Sequence, residues 1–141
     1  MNRRTFINQT IKVSSLVGLS SVVHPMIWEK SYDKHITILH TNDVHSHIDP
    51  FPQNHRKFPN SGGVGRRYSL IQQIKAENPN TLLLDAGDAF QGTPYFNFYG
   101  GELEYKLMSK MGYQASTIGN HEFDNGIDNF AAQLQHAKFD L

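Results

Sequence analysis

The chain has 141 residues, of which 38% are hydrophobic and 18% charged, a balance typical of a globular protein and not of a disordered one. This length allows at most one modest domain. Thirteen basic and thirteen acidic residues leave no formal net charge, so no nucleic-acid partner is expected. The absence of cysteine excludes disulfides and thiolate metal ligands, and any metal must be held by His, Asp, Asn or Glu.

Residues 1–28 differ from the rest of the chain and are typical of an export segment. Arg3 and Arg4 open it, and residues 11–23 are mostly apolar and small. The run Asn-Arg-Arg-Thr-Phe-Ile resembles a twin-arginine motif, which the twin-arginine export machinery recognises. We therefore expect a periplasmic or extracellular protein, with residues 29–34 as a linker. Serines interrupt the apolar stretch, so no stable membrane span is expected, although an uncleaved anchoring helix is the alternative.

Strand-like and helix-like segments alternate from residue 35 onward. Residues 35–41 predict the first strand, and residues 46–62 predict an irregular loop because three prolines interrupt it. The first helix should end before Asn78-Pro79. Its apolar face recurs at helical spacing: Val64, Tyr68, Ile71 and Ile74.

The second half of the chain continues this alternation. Residues 81–84 lack polar alternation, which predicts a strand buried on both faces, as in parallel sheets. Leu103, Leu107 and Met111 mark a second helix, and Gly112 stands where a C-terminal cap is expected. The aromatic cluster at residues 95–99 can either pack over the sheet edge or stack on a substrate.

A third strand is predicted at residues 114–118, followed by a last helix that Asn125 caps. The apolar face of that helix comprises Ile127, Phe130, Ala131 and Leu134. Residues 139–141 resemble the start of a fourth strand. Repeated strand–loop–helix units imply the α/β class, with a mainly parallel sheet and helices on its faces. Because the chain stops on an opening strand, we interpret residues 35–141 as the amino-terminal part of a longer domain.

Polar residues follow each of the three predicted strands. They lie in the segments 42–45, 85–88 and 119–122. Ligands of open α/β sheets bind just past the carboxyl ends of the strands, so these segments are expected to converge. A cluster of carboxylate, amide and imidazole groups there suits divalent cations.

Each segment contributes particular candidate ligands. Asp43 and His45 alternate along what we expect to be extended backbone, so both side chains should reach one cation. Asp88 follows a turn of small residues and can bridge two cations through its two oxygens. Asp85 is expected to support the loop, and Asn120 to offer its carbonyl oxygen to the second cation.

His121 is expected to face the substrate, where a protonated imidazole can give its proton to a leaving-group oxygen. Asp124, three residues later, could hold that imidazole in the required tautomer. Each motif alone is explained as well by an ordinary loop or capped turn, and it is their combination that favours a site. Two cations about 3.5–4 Å apart could clamp a phosphoryl group for in-line attack by water.

Three motifs resemble the fingerprint of the calcineurin-like metallophosphoesterase superfamily, which runs Asp-x-His, Gly-Asp and Gly-Asn-His. In this chain they are Asp43-Val44-His45, Gly87-Asp88 and Gly119-Asn120-His121. More narrowly, the segments 38–43, 85–93 and 119–124 resemble the secreted 5′-nucleotidase branch. The resemblance covers residues 35–141 and implies the α/β sandwich fold of that superfamily.

The resemblance also implies roles for individual residues. It makes Asp43, His45, Asp88 and Asn120 ligands of two divalent ions such as zinc or manganese, with Asp88 bridging them. It places His121, paired with Asp124, at the reacting phosphate. Members of the family carry further histidine ligands downstream, including a Gly-His-x-His type of segment, and this chain ends before any such segment. One flank of the two-metal site is therefore expected here, with weak metal binding and little turnover by this chain alone.

These observations support a two-metal phosphoesterase that hydrolyses nucleotide phosphomonoesters outside the cytoplasm. Two alternatives stay open. One is another reaction on the same scaffold, such as hydrolysis of cyclic nucleotides or sulfur esters. The other is a catalytically deficient metal-binding fragment.

Overall fold

The computed structural model describes residues 35–141, and the predictions for the export segment and linker lie outside that range. The elements, in chain order, are β1 (Thr37–Thr41), α1 (Val64–Glu77), β2 (Thr81–Asp85), α2 (Pro94–Tyr99), α3 (Glu102–Met111), β3 (Ala115–Ser116) and α4 (Ile127–Gln133). Short 3₁₀ turns cover His121–Phe123 and Leu134–His136. Among the described residues, no helix is both long and apolar enough to cross a membrane.

The three strands form one parallel sheet in the order β1-β2-β3. Thr37 of β1 is opposite Thr81 of β2, and Thr41 is opposite Asp85, so both strands end at the same edge. Asp85 is also opposite Ser116 of β3. The predicted α/β class with a parallel sheet is confirmed, and the strand ends that carry the polar motifs share one edge.

The third strand is shorter than the predicted residues 114–118, because regular pairing covers only Ala115 and Ser116. Hydrogen bonding nevertheless continues on both sides of it. The backbone N–H of Gln114 donates to the Leu83 carbonyl at 2.9 Å, and that of Thr117 donates to the Asp85 carbonyl at 3.0 Å. The predicted fourth strand is reduced to a single parallel bridge between Ala115 and Asp140.

The two faces of the sheet differ in burial. Leu83 is 1% exposed and belongs to a core cluster with Ile71 of α1 and Tyr105 of α3. Leu82 points to the other face, where it is 38% exposed beside its pairing partner Ile38, which is 59% exposed. The prediction that β2 is buried on both faces is therefore wrong, because the described helices pack on the Leu83 face.

The first predicted helix, with its buried residues Val64 and Ile71, is confirmed as α1. The cap at Gly112 is also confirmed, since this glycine follows α3 in the left-handed conformation with φ 79°. The predicted face of α3 is correct at Met111, but it is centred about one position away from Leu103 and Leu107, which are only partly buried. Its buried residues are Glu104, Tyr105, Met108 and Met111. Tyr105 turns inward because its ring packs against Phe90, with centroids 4.7 Å apart.

The predicted last helix is present as α4, but its cap and part of its apolar face differ from the prediction. Gly126 precedes α4 at the cap position, so Asn125 does not cap the helix. Phe130 is buried, whereas Ile127 is 70% exposed, so only part of the predicted apolar face is used. The aromatic cluster forms a short helix, α2, that the sequence did not predict. Phe96 packs against Phe90 in the core, whereas Phe98 is 82% exposed.

Candidate metal centre

The first polar segment runs beside the second just beyond the sheet. The backbone N–H of Asp43 donates to the carbonyl of Gly87 at 3.0 Å, and that of His45 donates to the carbonyl of Asp88 at 3.1 Å. The hydrogen bonding between β1 and β2 thus continues past their last paired residues. As a result, the side chains of the two segments lie at one place on the sheet edge.

The expected extended backbone between Asp43 and His45 is not observed. Both residues adopt the left-handed conformation, each with φ 49°, and Asp88 has φ 55°. Asparagine, aspartate and histidine enter this region more readily than most other residues, and such conformations cluster at functional sites. The two side chains meet in spite of the different backbone, with His45 Nε2 lying 3.7 Å from Asp43 Oδ1.

His45, Asp88 and His121 form a group of potential metal ligands. One ligand atom from each of the three lies within 4.8 Å of those of the other two, and all three residues are half-buried. The imidazole rings of His45 and His121 meet edge-on, with centroids 5.0 Å apart. Imidazole nitrogens with carboxylate oxygens suit cations such as zinc or manganese.

The Nδ1 nitrogen of each of these two histidines has its own hydrogen-bond partner. His45 Nδ1 lies 3.3 Å from the Phe90 carbonyl oxygen, and His121 Nδ1 lies 2.7 Å from Asp124 Oδ2. An N–H on Nδ1 that donates to oxygen leaves the lone pair on Nε2, which is how metal-binding and catalytic histidines are commonly oriented. The hydrogen bond with Asp124 raises the pKa of His121, and desolvation of the imidazole opposes this increase.

The other two predicted ligands are solvent-accessible. Asp43 is exposed, and its Oδ2 accepts a hydrogen bond from Asn42 Nδ2 at 2.6 Å. Asn120 is exposed on the turn directly before His121. The segment that carries it is held to the second motif, because the backbone N–H of His121 donates to Asp88 Oδ1 at 3.0 Å. Asn120 stays a predicted ligand on that turn.

Asp85 supports the loop, as predicted. It is 5% exposed, and its Oδ1 accepts hydrogen bonds from the Gly87 backbone N–H at 2.9 Å and from the Ser116 hydroxyl at 3.2 Å. Its Oδ2 accepts from the Thr41 hydroxyl, which also lies 2.7 Å from the Tyr113 hydroxyl oxygen. Burial raises the pKa of Asp85, and these hydrogen bonds oppose the increase. Asp85 therefore links the ends of all three strands beneath the site.

Glu122 is the residue that sequence reasoning missed. It is 1% exposed, and its carboxylate accepts hydrogen bonds from four backbone N–H groups. The donors are Asp88, Ala89, Phe90 and Gly119. One indication was available, because the turns after β2 and β3 leave backbone N–H groups that need acceptors when they are buried.

A family model described as Calcineurin-like phosphoesterase matches residues 36–140. The chain belongs to the calcineurin-like phosphoesterase family. The match covers all three polar segments at the sheet edge, and it confirms the resemblance that the motifs indicated.

Several relatives of this calcineurin-like phosphoesterase are named 5′-nucleotidase. The chain is 40% identical over 131 residues to one from Rattus norvegicus and 41% identical over 133 residues to one from Homo sapiens, each alignment covering 89% of the chain. It spans only 22% of the length of each relative.

Solved structures agree with the fold. A 5′-nucleotidase precursor from Thermus thermophilus is similar with a TM-score of 0.67 and 43% identity, over 74% of this chain and 21% of that one. An NAD nucleotidase from Haemophilus influenzae is similar with a TM-score of 0.65 and 31% identity, over 75% of this chain and 20% of that one. This calcineurin-like phosphoesterase chain thus spans about a fifth of each of these two proteins.

Proposed function

We propose that this protein is a metal-dependent hydrolase of nucleotide phosphomonoesters. The observation that carries the proposal is the grouping of His45, Asp88 and His121, from three separate turns, at the carboxyl edge of a parallel sheet. The names of the relatives support the substrate class, since the rat and human relatives and the Thermus thermophilus structure are all called 5′-nucleotidases.

Asp43, His45, Asp88 and Asn120 would hold two divalent cations, with Asp88 between them. Its Oδ1 accepts the His121 backbone N–H, which fixes the carboxylate, and a carboxylate has lone pairs left for further contacts. Bound cations would supply Lewis-acid polarisation of the phosphoryl group and a lower pKa for water. The carbonyl of Phe90 sets the orientation of the His45 ring toward the same place.

His121 would act on the reacting phosphate, held in position by Asp124. The 2.7 Å contact engages Nδ1 with Asp124, so Nε2 is the ring nitrogen left to meet the substrate, and the ring itself lies beside His45, with centroids 5.0 Å apart. From there the imidazole can give a proton to a leaving-group oxygen, a contribution that side-chain acids typically make to ester hydrolysis. The carboxylate keeps the ring in one tautomer and stabilises its protonated form.

We further propose that residues 35–141 are part of a larger domain and contribute one flank of the site. The chain spans about a fifth of its relatives, and the sheet face that carries Ile38 and Leu82 is apolar and exposed. Exposed apolar faces of this kind commonly mark a surface that another element covers. Additional ligands would come from that remaining part, so this chain alone would bind metal weakly and turn over slowly.

We propose that Arg3 and Arg4 direct export through the twin-arginine machinery. Replacing both with lysine should leave the protein in the cytoplasmic fraction of an expressing bacterium, because that machinery recognises the arginine pair. Unchanged appearance of the variant outside the cytoplasm would contradict this proposal, and Lys12→Gln is the matched control.

The activity test uses the longest product that the reading frame expresses, with AMP as substrate and manganese or zinc present. Asp88→Ala should lower phosphate release by at least about 10²-fold, because it would remove a carboxylate proposed to hold the cations. Asp128→Ala, which removes an exposed carboxylate on α4, should release phosphate like the wild type. Equal phosphate release by the Asp88 variant and the wild type would refute the role of Asp88.

A further inference from the structure

Glu122 makes four contacts that join two different turns. Its Oε2 accepts the N–H groups of Gly119 at 2.6 Å and Asp88 at 3.1 Å. Its Oε1 accepts those of Ala89 at 2.7 Å and Phe90 at 3.2 Å. Three of the donors therefore belong to the turn after β2, and the fourth belongs to the turn after β3. A single carboxylate thus spans the two loops that carry Asp88 and His121.

These contacts explain why a carboxylate can be buried at this place. At 1% exposure, Glu122 would be costly without partners, and hydrogen bonds to a charged acceptor are stronger than those between neutral groups. A carboxylate offers about four lone-pair sites, and four N–H groups occupy them here. Glu122 is therefore committed to backbone groups and is not available as a metal ligand.

We infer that Glu122 is a positioning residue, which sets the distance between the Asp88 turn and the His121 turn and thereby the geometry of metal binding. The expected effect on metal binding rests on the proposed function, whereas the four hydrogen bonds of Glu122 are observed independently of it. Phe90, whose N–H bonds to Glu122, also provides the carbonyl oxygen next to His45 Nδ1. Glu122 thus holds the turn that carries Asp88 and the turn that carries His121. It also holds Phe90, whose carbonyl oxygen contacts His45.

The variant Glu122→Gln tests this role with little change of shape. The amide keeps one oxygen acceptor and replaces the other with an NH₂ donor, which faces two backbone N–H groups in either orientation. Glu104→Gln is the matched control, because Glu104 is also a buried carboxylate, at 4% exposure, but lies on α3. Both variants lose one buried acid, and only the first loses contacts to the turns.

Two readouts on the full chain separate positioning from general stability. Amide hydrogen exchange at residues 88, 89, 90 and 119 should be slow in the wild type and at least about tenfold faster in Glu122→Gln, with the α1 amides unchanged. The Kd for manganese alone, from titration without substrate, should rise by about 10- to 100-fold, as for other supporting residues of metal sites. Glu104→Gln should shift that Kd by less than about twofold, because the Glu104 carboxylate makes no hydrogen bond to either turn.

The possible results lead to different conclusions. A manganese Kd for Glu122→Gln within about twofold of the wild type would overturn the inference. Substituting a residue that supports metal ligands typically weakens metal affinity by about tenfold or more. Should that variant fail to fold, Glu122→Asp keeps the charge but shortens the reach, and the same Kd criterion applies. Fast exchange at the four amides in the wild type would also overturn it, without any variant. If Asp88→Ala binds manganese like the wild type, the proposed function fails, while the exchange result still decides the role of Glu122.

Discussion

Gly119 packs directly against Asp88, so the turns after β2 and β3 are in van der Waals contact at this point. A Cβ atom added to Gly119 would lie 2.2 Å from Asp88 Oδ1 and 2.6 Å from its backbone nitrogen. The close approach is mutual, because a Cβ on Gly87 would lie 2.7 Å from the Gly119 nitrogen. Glycine at both positions therefore lets the proposed metal ligands of neighbouring strands come together.

Gly119→Ala should move the Asp88 carboxylate and lower phosphate release by about 10²-fold, because misplacement by about 1 Å has that effect. Rotating the Asp88 side chain cannot relieve the clash, since the backbone nitrogen is also too close. Overpacking should lower the free energy of unfolding by about 1–3 kcal/mol. Phosphate assays and urea unfolding of the longest expressed product measure the two effects.

Gly65→Ala is the control for this substitution. Gly65 lies on α1, where an added Cβ would have no atom within 4 Å beyond its chain neighbours and the backbone of its own helix, and its backbone is compatible with alanine. This variant should keep its activity and gain about 0.5–1 kcal/mol in the free energy of unfolding, because alanine favours the helix. Full activity of Gly119→Ala would show that the contact between Gly119 and Asp88 does not set the geometry of the site.

The segments that hold the candidate ligands could be predicted because their signals are local. Asp43, Asp88 and His121 each stand in a short polar turn that follows an apolar β-rich run, and parallel strands bring such turns to one edge. The left-handed conformations of Asp43 and His45 could not be predicted, because they accompany backbone contacts with a segment more than forty residues away.

The predictions that failed depend on what an element packs against. Leu82 is apolar enough for either face of a sheet, and its exposure depends on whether another layer covers that face. The orientation of α3 depends on the fit of Tyr105 against Phe90, which periodicity alone does not contain. Glu122 was missed because its partners are backbone N–H groups, which every residue except proline has.

His121→Ala should slow turnover by about 10²–10⁴-fold and leave bound metal largely intact, because we assign His121 to proton transfer. Asp124→Asn should cause a smaller loss, since it removes the charge that orients the ring but keeps the imidazole. Phosphate release and metal content per chain check both variants. Loss of metal from His121→Ala would instead assign His121 as a ligand, which its position beside His45 and Asp88 would then explain.

Manganese should stabilise the chain against unfolding, because the proposed ligands come together only in the folded state. At about 100 times its Kd, a bound ion adds about 2.7 kcal/mol to the free energy of unfolding, and a chelator should remove this increase. Magnesium at the same concentration should have a smaller effect, since it demands near-ideal octahedral oxygen coordination and gives up its waters reluctantly, whereas the proposed ligands include an imidazole. Thermal unfolding of the wild type and Asp88→Ala measures the difference. An equal shift in both would indicate metal binding elsewhere.

Asp85 should make stability depend on pH in the direction opposite to that of a typical paired carboxylate. Burial raises the pKa of Asp85 in the folded state above the ordinary value of 3.8. Between the unfolded-state pKa and this raised folded-state pKa, the folded state holds the proton more tightly than the unfolded state. Raising the pH through that window therefore lowers the free energy of unfolding, by about 1.4 kcal/mol for each unit of elevation.

Asp85→Asn tests this pH dependence, because an amide does not titrate but can keep the contacts. Its oxygen can accept from the Gly87 N–H and the Ser116 hydroxyl, and its NH₂ can donate to the Thr41 hydroxyl oxygen, which has Tyr113 as a second partner. Urea unfolding between about pH 4 and pH 7 should show the wild type losing stability relative to Asp85→Asn as the pH rises above the ordinary carboxyl pKa. Asp128→Asn, at an exposed position on α4, should show no such trend. A wild type that gains stability over Asp85→Asn across this range would mean that the hydrogen bonds, and not burial, dominate at Asp85.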